Sequence, residues 1–249
     1  MIDIHSHIIH GVDDGPSNIT ESLRMIKEAE RLGISQIMAA PHYQECIFGL
    51  ERVEENYQEL LYRAQDYDVA INLGFEVFVD PNNHSYFKNR KKISLNKSGI
   101  MLLEFPFSAP PSKCVDMVWK FRVQKITPVI AHMERNRSFI NRFEAFVAFI
   151  KAGCYIQLDA ASIAGVYGMK IKDFSKKLLQ MKLADMVASN AHCANDYADW
   201  YSEALKNVSN WVGKEEAGIL FHNNAKQILD GRNSEEHANR NILRWERMV

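Results

Sequence analysis

Short apolar runs alternate along the whole chain with longer stretches whose apolar positions recur every three or four residues. The short runs read as strands: MIDIHSH at 1–7, SQIMAAPHY at 35–43, VAINLGFEVFV at 69–79, GIMLLEFPF at 99–107, ITPVIAHME at 126–134, CYIQLDAASI at 154–163 and DMVASNAH at 185–192. The longer stretches predict helices near 18–33, 51–66, 112–124, 138–152, 168–182, 199–211 and 214–230. The first shows the logic: Asn18 can cap it, Glu21 completes a capping-box pattern, Ile19, Leu23 and Ile26 follow at helical spacing, and Gly33 ends it. Repeated βα units imply a parallel sheet, and seven of them suit a closed barrel better than an open doubly wound sheet. One domain is expected over 1–230, with the polar stretch 231–249 as a tail or a docked last helix.

Composition narrows the class. The chain has 249 residues, 47% apolar and 24% charged, enough for a substantial core. A net charge of −1 gives no general pull toward nucleic acid or an anionic membrane surface. Asp3 and His5 fall where the apolar part of a signal peptide would begin, and no run approaches membrane-span length, so a cytoplasmic protein without membrane insertion is expected. Cys46, Cys114, Cys154 and Cys193 lack paired spacing and read as reduced thiols.

The polar residues that end the strands carry the chemistry. His5 and His7 stand two apart in the first strand, a spacing that puts them on one face. Asp13 and Asp14 follow in GVDDG, His42 ends APHY, Glu76 lies in GFEVF, Glu104 in LLEFP, His132 in IAHMER, and Asn190 with His192 in ASNAH. Any one of them alone is more simply a hydrogen-bonded structural residue. A βα barrel, however, gathers all its C-terminal strand ends at one mouth. Jointly they suit two or three Zn²⁺, Mn²⁺ or Fe²⁺ ions sharing a bridging carboxylate. His10, His84, His222 and His237 lack that placement and read as surface or structural residues.

Other motifs fail on chemistry. There is no Walker A, GxGxxG or GxSxG pattern. Cys46 to Arg52 matches the bare C-x5-R pattern of cysteine phosphatases. That loop holds Ile47, Phe48, Leu50 and Glu51 where a phosphate cradle needs small residues and no acid, so it is rejected. Cys193 reads as a small packed residue.

DIHSH, VDDGP, PH, GFE, the glutamate of LLEF, AHMER and S-x-A-H stand in the order of the PHP (polymerase and histidinol phosphatase) metallohydrolases. The sequence resembles most the bacterial tyrosine phosphatases of capsule and exopolysaccharide operons, from Met1 to about Asn224. The resemblance implies a distorted (β/α)7 barrel and up to three metal ions, manganese first. It also implies a ligand set. His5, His7, Glu76 and residue 190 would hold one ion. Glu76, Glu104 and His132 would hold a second. Asp14, with Asp13 as fallback, would hold a third with His42 and His192. Arg135 would bind phosphate, and Arg135, His42 and Asp14 are the catalytic candidates. The implied reaction is attack of metal-bound hydroxide on phosphotyrosine, in the tail of a partner tyrosine kinase.

The chain departs from the pattern twice. Asn190 stands where the family has aspartate, which replaces an anionic ligand by a neutral carbonyl oxygen and implies weaker activity. No arginine follows the ASNAH motif, leaving Arg135 and Arg137 for phosphate. Three other readings are weighed: a histidinol-phosphate phosphatase, a metal-dependent nuclease or amidohydrolase, and a metal-binding domain that recognises phosphotyrosine without cleaving it.

Overall fold

The computed structural model describes residues 1–43, 49–80 and 85–230. Cys46, His84, His237 and the stretch 231–249 therefore lie outside the described residues.

Among the described residues, eight strands are all paired in parallel. β1 (Ile2–Ser6), β2 (Gln36–Ala39) and β3 (Ala70–Leu73) form one sheet. β4 (Glu76–Phe78), β5 (Ile100–Glu104), β6 (Thr127–Ala131), β7 (Tyr155–Asp159) and β8 (Met186–Ala188) form the other. The sheets meet at both edges. Beyond β8, Ala191 bridges Ser6, and the His7 amide donates to its carbonyl at 2.9 Å. Beyond β2, His42 bridges Glu76, and the Tyr43 amide donates to the Glu76 carbonyl at 2.8 Å. These contacts close a distorted barrel of seven βα units.

β3 and β4 are halves of the single strand expected at 69–79. β3 stays with β2, while β4 pairs with β5. The break falls at Gly74, whose amide still donates to the Ala39 carbonyl at 2.8 Å. The strand expected at 154–163 is also shorter. It stops at Asp159, whose carboxylate accepts from the Ala161 amide at 2.9 Å and caps a short helix, Ala160–Ala164. The helix expected at 138–152 starts later, at Phe143. The first helix spans Ile19–Arg31, with Asn18 accepting from the Glu21 amide at 3.2 Å. The Glu21 carboxylate reaches back to the Ser17 amide rather than to that of Asn18.

A large apolar layer lies between the sheets and the helices outside them. A smaller one, including Ile4, Met38, Leu102, Val129, Tyr155 and Met186, fills the barrel interior. Ala225 and Ile228 of the last described helix, Asn224–Leu229, close it at the end where the strands begin. The opposite end is left to polar side chains.

Gly74 has no room for a β-carbon, which would sit 3.0 Å from Leu95 Cα and 2.7 Å from Leu95 Cδ2. Gly74→Ala is expected to cost about 1–3 kcal/mol in a urea titration. An unchanged midpoint and slope would show that the strand break tolerates a side chain.

Candidate active site

The C-terminal strand ends surround a cleft of about 560 Å³. Asp14, His42, Glu76, Glu104, His132, Asn190 and His192 reach it, with His5 and His7 wholly buried beneath. β1 has a register irregularity between Asp3 and Ser6. Ile2 and Ile4 join the interior layer, so strict alternation would turn His5 away with Asp3. The irregularity returns His5 to the cleft, where its Nε2 lies 3.2 Å from that of His7.

Each of three histidines is oriented from behind. His5 Nδ1 lies 3.0 Å from Gln157 Oε1, His7 Nδ1 2.7 Å from Asp13 Oδ2, and His192 Nδ1 2.9 Å from the Asn190 carbonyl. Each of these oxygens accepts a hydrogen bond from Nδ1–H, so that in the neutral ring the Nε2 lone pair is aimed into the cleft. Two such lone pairs facing each other at 3.2 Å repel unless a cation lies between them. Asp13 thus orients His7, and it also accepts from the Gly15 and His42 amides.

Glu76 is the hub. Its Oε2 lies 3.3 Å from His5 Nε2, 3.4 Å from His7 Nε2 and 3.2 Å from His42 Nδ1, and its Oε1 lies 2.8 Å from His132 Nε2. Among the described residues, three groups have donor atoms close enough to share an ion: His5, His7 and Glu76; His42, Glu76 and Glu104; and His7, Asp14, His42 and His192. His132 lies within 4.0 Å of Glu104. The expected residues therefore come together. The grouping differs in detail, since His7 and His42 each reach two groups.

Charge explains why a cation suits the cluster. Burial disfavours the charged ring of His7, yet hydrogen bonds and charge from Asp13 and Glu76 raise it to about 10. Burial favours a neutral Glu76, but the charge of His5 and hydrogen bonds from His132, His5 and His7 hold its carboxyl well below the usual range. Glu104 is raised by burial and by the charge of Glu76. Without an ion, protons must hold these groups together, and a bound metal displaces them.

Asn190 sits in the left-handed region with φ 48°, a conformation asparagine tolerates. Its Nδ2 donates to Asp159 Oδ2 at 3.4 Å, while its Oδ1 is buried without a partner. A buried amide oxygen aimed at no donor fits a cation site. Asp159 also accepts from Arg135 Nη1 at 3.5 Å. The Arg135 guanidinium lies 4.6 Å from the ring centre of Phe107 and 4.3 Å from that of Tyr167. Arg137 is exposed and does not line the cleft. Where a further arginine was expected, Asp196 accepts from the His192 and Cys193 amides at 2.7 and 3.1 Å, and Trp200 lines the wall. Cys193 is exposed rather than packed. His10 instead meets Glu59 at 3.3 Å.

Sequence reasoning missed Gln157, Phe107, Tyr167, Trp200 and the base of the site. There, Asp3 is fully buried and accepts from the Ser189 hydroxyl at 2.5 Å, the Ser189 amide at 2.9 Å and the Tyr197 hydroxyl at 2.7 Å. Asp3 in MIDIH was readable as a polar residue in a buried strand, but its partners lie 186 and 194 residues away.

Fold and site together define a βα-barrel protein with a histidine–carboxylate cluster of metal-binding type. The chain belongs to the family "Capsular polysaccharide synthesis, CpsB/CapC", whose model matches residues 1–230. It is 31% identical to the tyrosine-protein phosphatase YwqE of Bacillus subtilis over 227 residues, 90% of this chain and 89% of the relative. It is 31% identical to the tyrosine-protein phosphatase CpsB of Streptococcus agalactiae serotype III over 238 residues, 92% of this chain and 98% of the relative. Its fold matches a chain from the crystal structures of YwqE from B. subtilis and CpsB from Streptococcus pneumoniae, described as unique metal-dependent tyrosine phosphatases. That match has a TM-score of 0.83 and 30% identity over 94% of this chain and 96% of the other. A histidinol phosphate phosphatase from Lactococcus lactis shares the fold alone, with a TM-score of 0.56 and 12% identity over 83% of this chain and 93% of the other.

Asp3→Ala strands the Ser189 and Tyr197 donors in the interior. It is expected to cost about 2–4 kcal/mol, read as a loss of stability in chemical denaturation. A loss below about 0.5 kcal/mol would show that these donors find other partners.

Proposed function

We propose that this chain hydrolyses phosphotyrosine on a protein substrate, using divalent ions held by the strand-end cluster. The observation that carries the reading is the sharing of Glu76 among the donor groups, beside Arg135 in an aromatic-walled cleft. His5, His7 and Glu76 would hold one ion, with the orphaned Asn190 Oδ1 as a neutral fourth ligand. Glu76, Glu104 and His132, with His42 nearby, would hold a second. Asp14, His42 and His192 would hold a third. The donors are nitrogen and oxygen without thiolate, which suits Mn²⁺, our first choice, and also Zn²⁺ or Fe²⁺. Such ions supply positive charge for a phosphoryl group and lower the pKa of water at the site.

The chain's own residues do the rest. Arg135 is fixed by Asp159 and by two aromatic rings, so its fork can meet phosphate oxygens at little entropic cost. Phe107 and Tyr167 are 43% and 36% exposed at the mouth, which leaves aromatic surface for a phenyl ring. The substrate we favour is the phosphorylated tail of a tyrosine kinase of exopolysaccharide synthesis. We place the protein in the cytoplasm, in keeping with the free Cys114 and Cys154 thiols.

Chelation followed by dialysis should abolish hydrolysis of a phosphotyrosine peptide, and Mn²⁺ should restore it. The peptide should be turned over at least about tenfold faster than histidinol phosphate. Faster turnover of histidinol phosphate would overturn the substrate, and metal-independent turnover would overturn the mechanism. Binding of the peptide with no turnover at all would favour a recognition domain.

Asn190→Asp should raise both metal content and rate by about an order of magnitude. Without metal the same variant should melt lower than the parent, because the new carboxylate faces Asp159 at the 3.4 Å now spanned by a hydrogen bond. Equal metal content in the two proteins would remove residue 190 from the ligand set. Cys46→Ser should leave the rate within about twofold, and loss of activity would revive the C-x5-R reading.

A further inference from the structure

At the end of the barrel where the strands begin, away from the cleft, the surface changes character. The short helices Ser85–Lys88 and Arg90–Ile93 and the turn Leu95–Lys97 carry Lys88, Arg90, Lys91, Lys92 and Lys97. Lys120 and Lys125 join them from the end of the helix Pro111–Val123 and from the turn before β6. All seven are exposed. A shallow groove of about 600 Å³ runs between the two segments, lined by Arg90, Lys91, Lys92, Lys97 and Lys125 with no carboxylate. Among the described residues none of the seven has an ion-pair partner within 4.0 Å. Lys92 and Lys97 also border a second groove, across from Glu51, Glu54 and Glu55. The cationic character is therefore purest around Lys88, Arg90, Lys91 and Lys125.

Beside this groove stand two of the most exposed apolar side chains of the described protein. Trp119 is 51% exposed and Val123 78% exposed, one helical turn apart. They line a hollow with Phe87, Lys120 and Gln124. Gln124 lines the cationic groove too, and Arg90 Nη1 donates to its Oε1 at 3.5 Å, so hollow and groove are one continuous face. The overall charge of −1 conceals it, because the rest of the molecule is acidic.

We propose that this face adsorbs on an anionic lipid bilayer, with the lysines among the headgroups and Trp119 and Val123 in the interfacial layer. Six of the seven cations are lysines. Compact ammonium charges on long stems suit a diffuse plane of phosphates, whereas a discrete carboxylate partner favours the planar fork of arginine. Tryptophan in turn favours the bilayer interface, where its ring is half wet. Each basic residue near an anionic surface strengthens adsorption about fivefold, so a few of them with one aromatic anchor give reversible attachment. The cleft opens at the other end of the barrel and stays accessible.

The test is sedimentation of the full chain with vesicles of phosphatidylcholine alone and of phosphatidylcholine with about one-third phosphatidylglycerol. We expect binding to the anionic vesicles only, weakening at least about tenfold from low to high salt. Lys91→Glu combined with Lys125→Glu should lower it by a further factor of about ten or more. Trp119→Ala should lower it several-fold and remove a blue shift in the fluorescence seen on binding. Both variants should hydrolyse soluble p-nitrophenyl phosphate at the parent rate, which shows that they are folded. Failure to bind anionic vesicles at low salt overturns the proposal, as does binding indifferent to both variants. Binding to polyglutamate in place of vesicles overturns it in favour of an acidic polypeptide.

Discussion

The site depends on one buried carboxylate. Glu76 is almost completely inaccessible, yet four histidine rings approach its two oxygens. A lone ionised carboxylate in that position would carry a heavy desolvation cost, which positive charge around it must offset. Its backbone is equally constrained. The amide and carbonyl of Glu76 bond to Pro41 and Tyr43, the contacts that join the two sheets. The residue that organises the chemistry is therefore also a closing link of the barrel. This accounts for the break at Gly74, which lets the chain leave β2 at the level where Glu76 must enter the mouth.

Around this hub the site is built in two layers. Gln157, Asp13 and the Asn190 carbonyl fix histidine tautomers from behind, while Asp3, Ser189 and Tyr197 fix the ends of β1 and β8 from below. His132 and Asn190 both adopt left-handed backbone, with φ 35° and 48°. Strain of this kind persists only where surrounding contacts over-determine it. At both residues the amide is tied to a neighbouring strand, His132 to the Gln157 carbonyl at 3.0 Å and Asn190 to that of His5 at 2.9 Å.

Much of this was legible in the chain itself, for a physical reason. Parallel strands buried on both faces are written as apolar runs, so a polar residue ending one stands out, as His132 does after TPVIA. The strand ends, the barrel class and the family pattern could all be read that way. The partition of 69–79 into two strands could not, because the local pattern is continuous and the break is decided by Leu95 and Met38 packed against Gly74. The overrun of β7 has a similar cause: AASI is as apolar as a strand, and only the capping carboxylate of Asp159 turns it into helix. Phe107 and Tyr167 were unreadable as a pair. An aromatic residue in a loop carries no signal until another element puts a guanidinium between it and its partner.

Asparagine at 190 matters for more than a missing negative charge. Asp159 accepts from both Asn190 and Arg135, and the fully buried Glu134 stands beside it, pushed up to about 7 by burial and by the charge of Asp159. This corner already holds two acids against one guanidinium. A third carboxylate at 190 would compete with Asp159 for Arg135 unless a cation lay on its other side. Asparagine relieves that competition by donating to Asp159, which leaves Arg135 paired but not over-held. In the reading favoured above, one metal is then bound less tightly while the phosphate-binding arginine keeps its place. On that reading residue 190 couples the two halves of the cleft, and its chemistry would divide negative charge between the ion and the arginine.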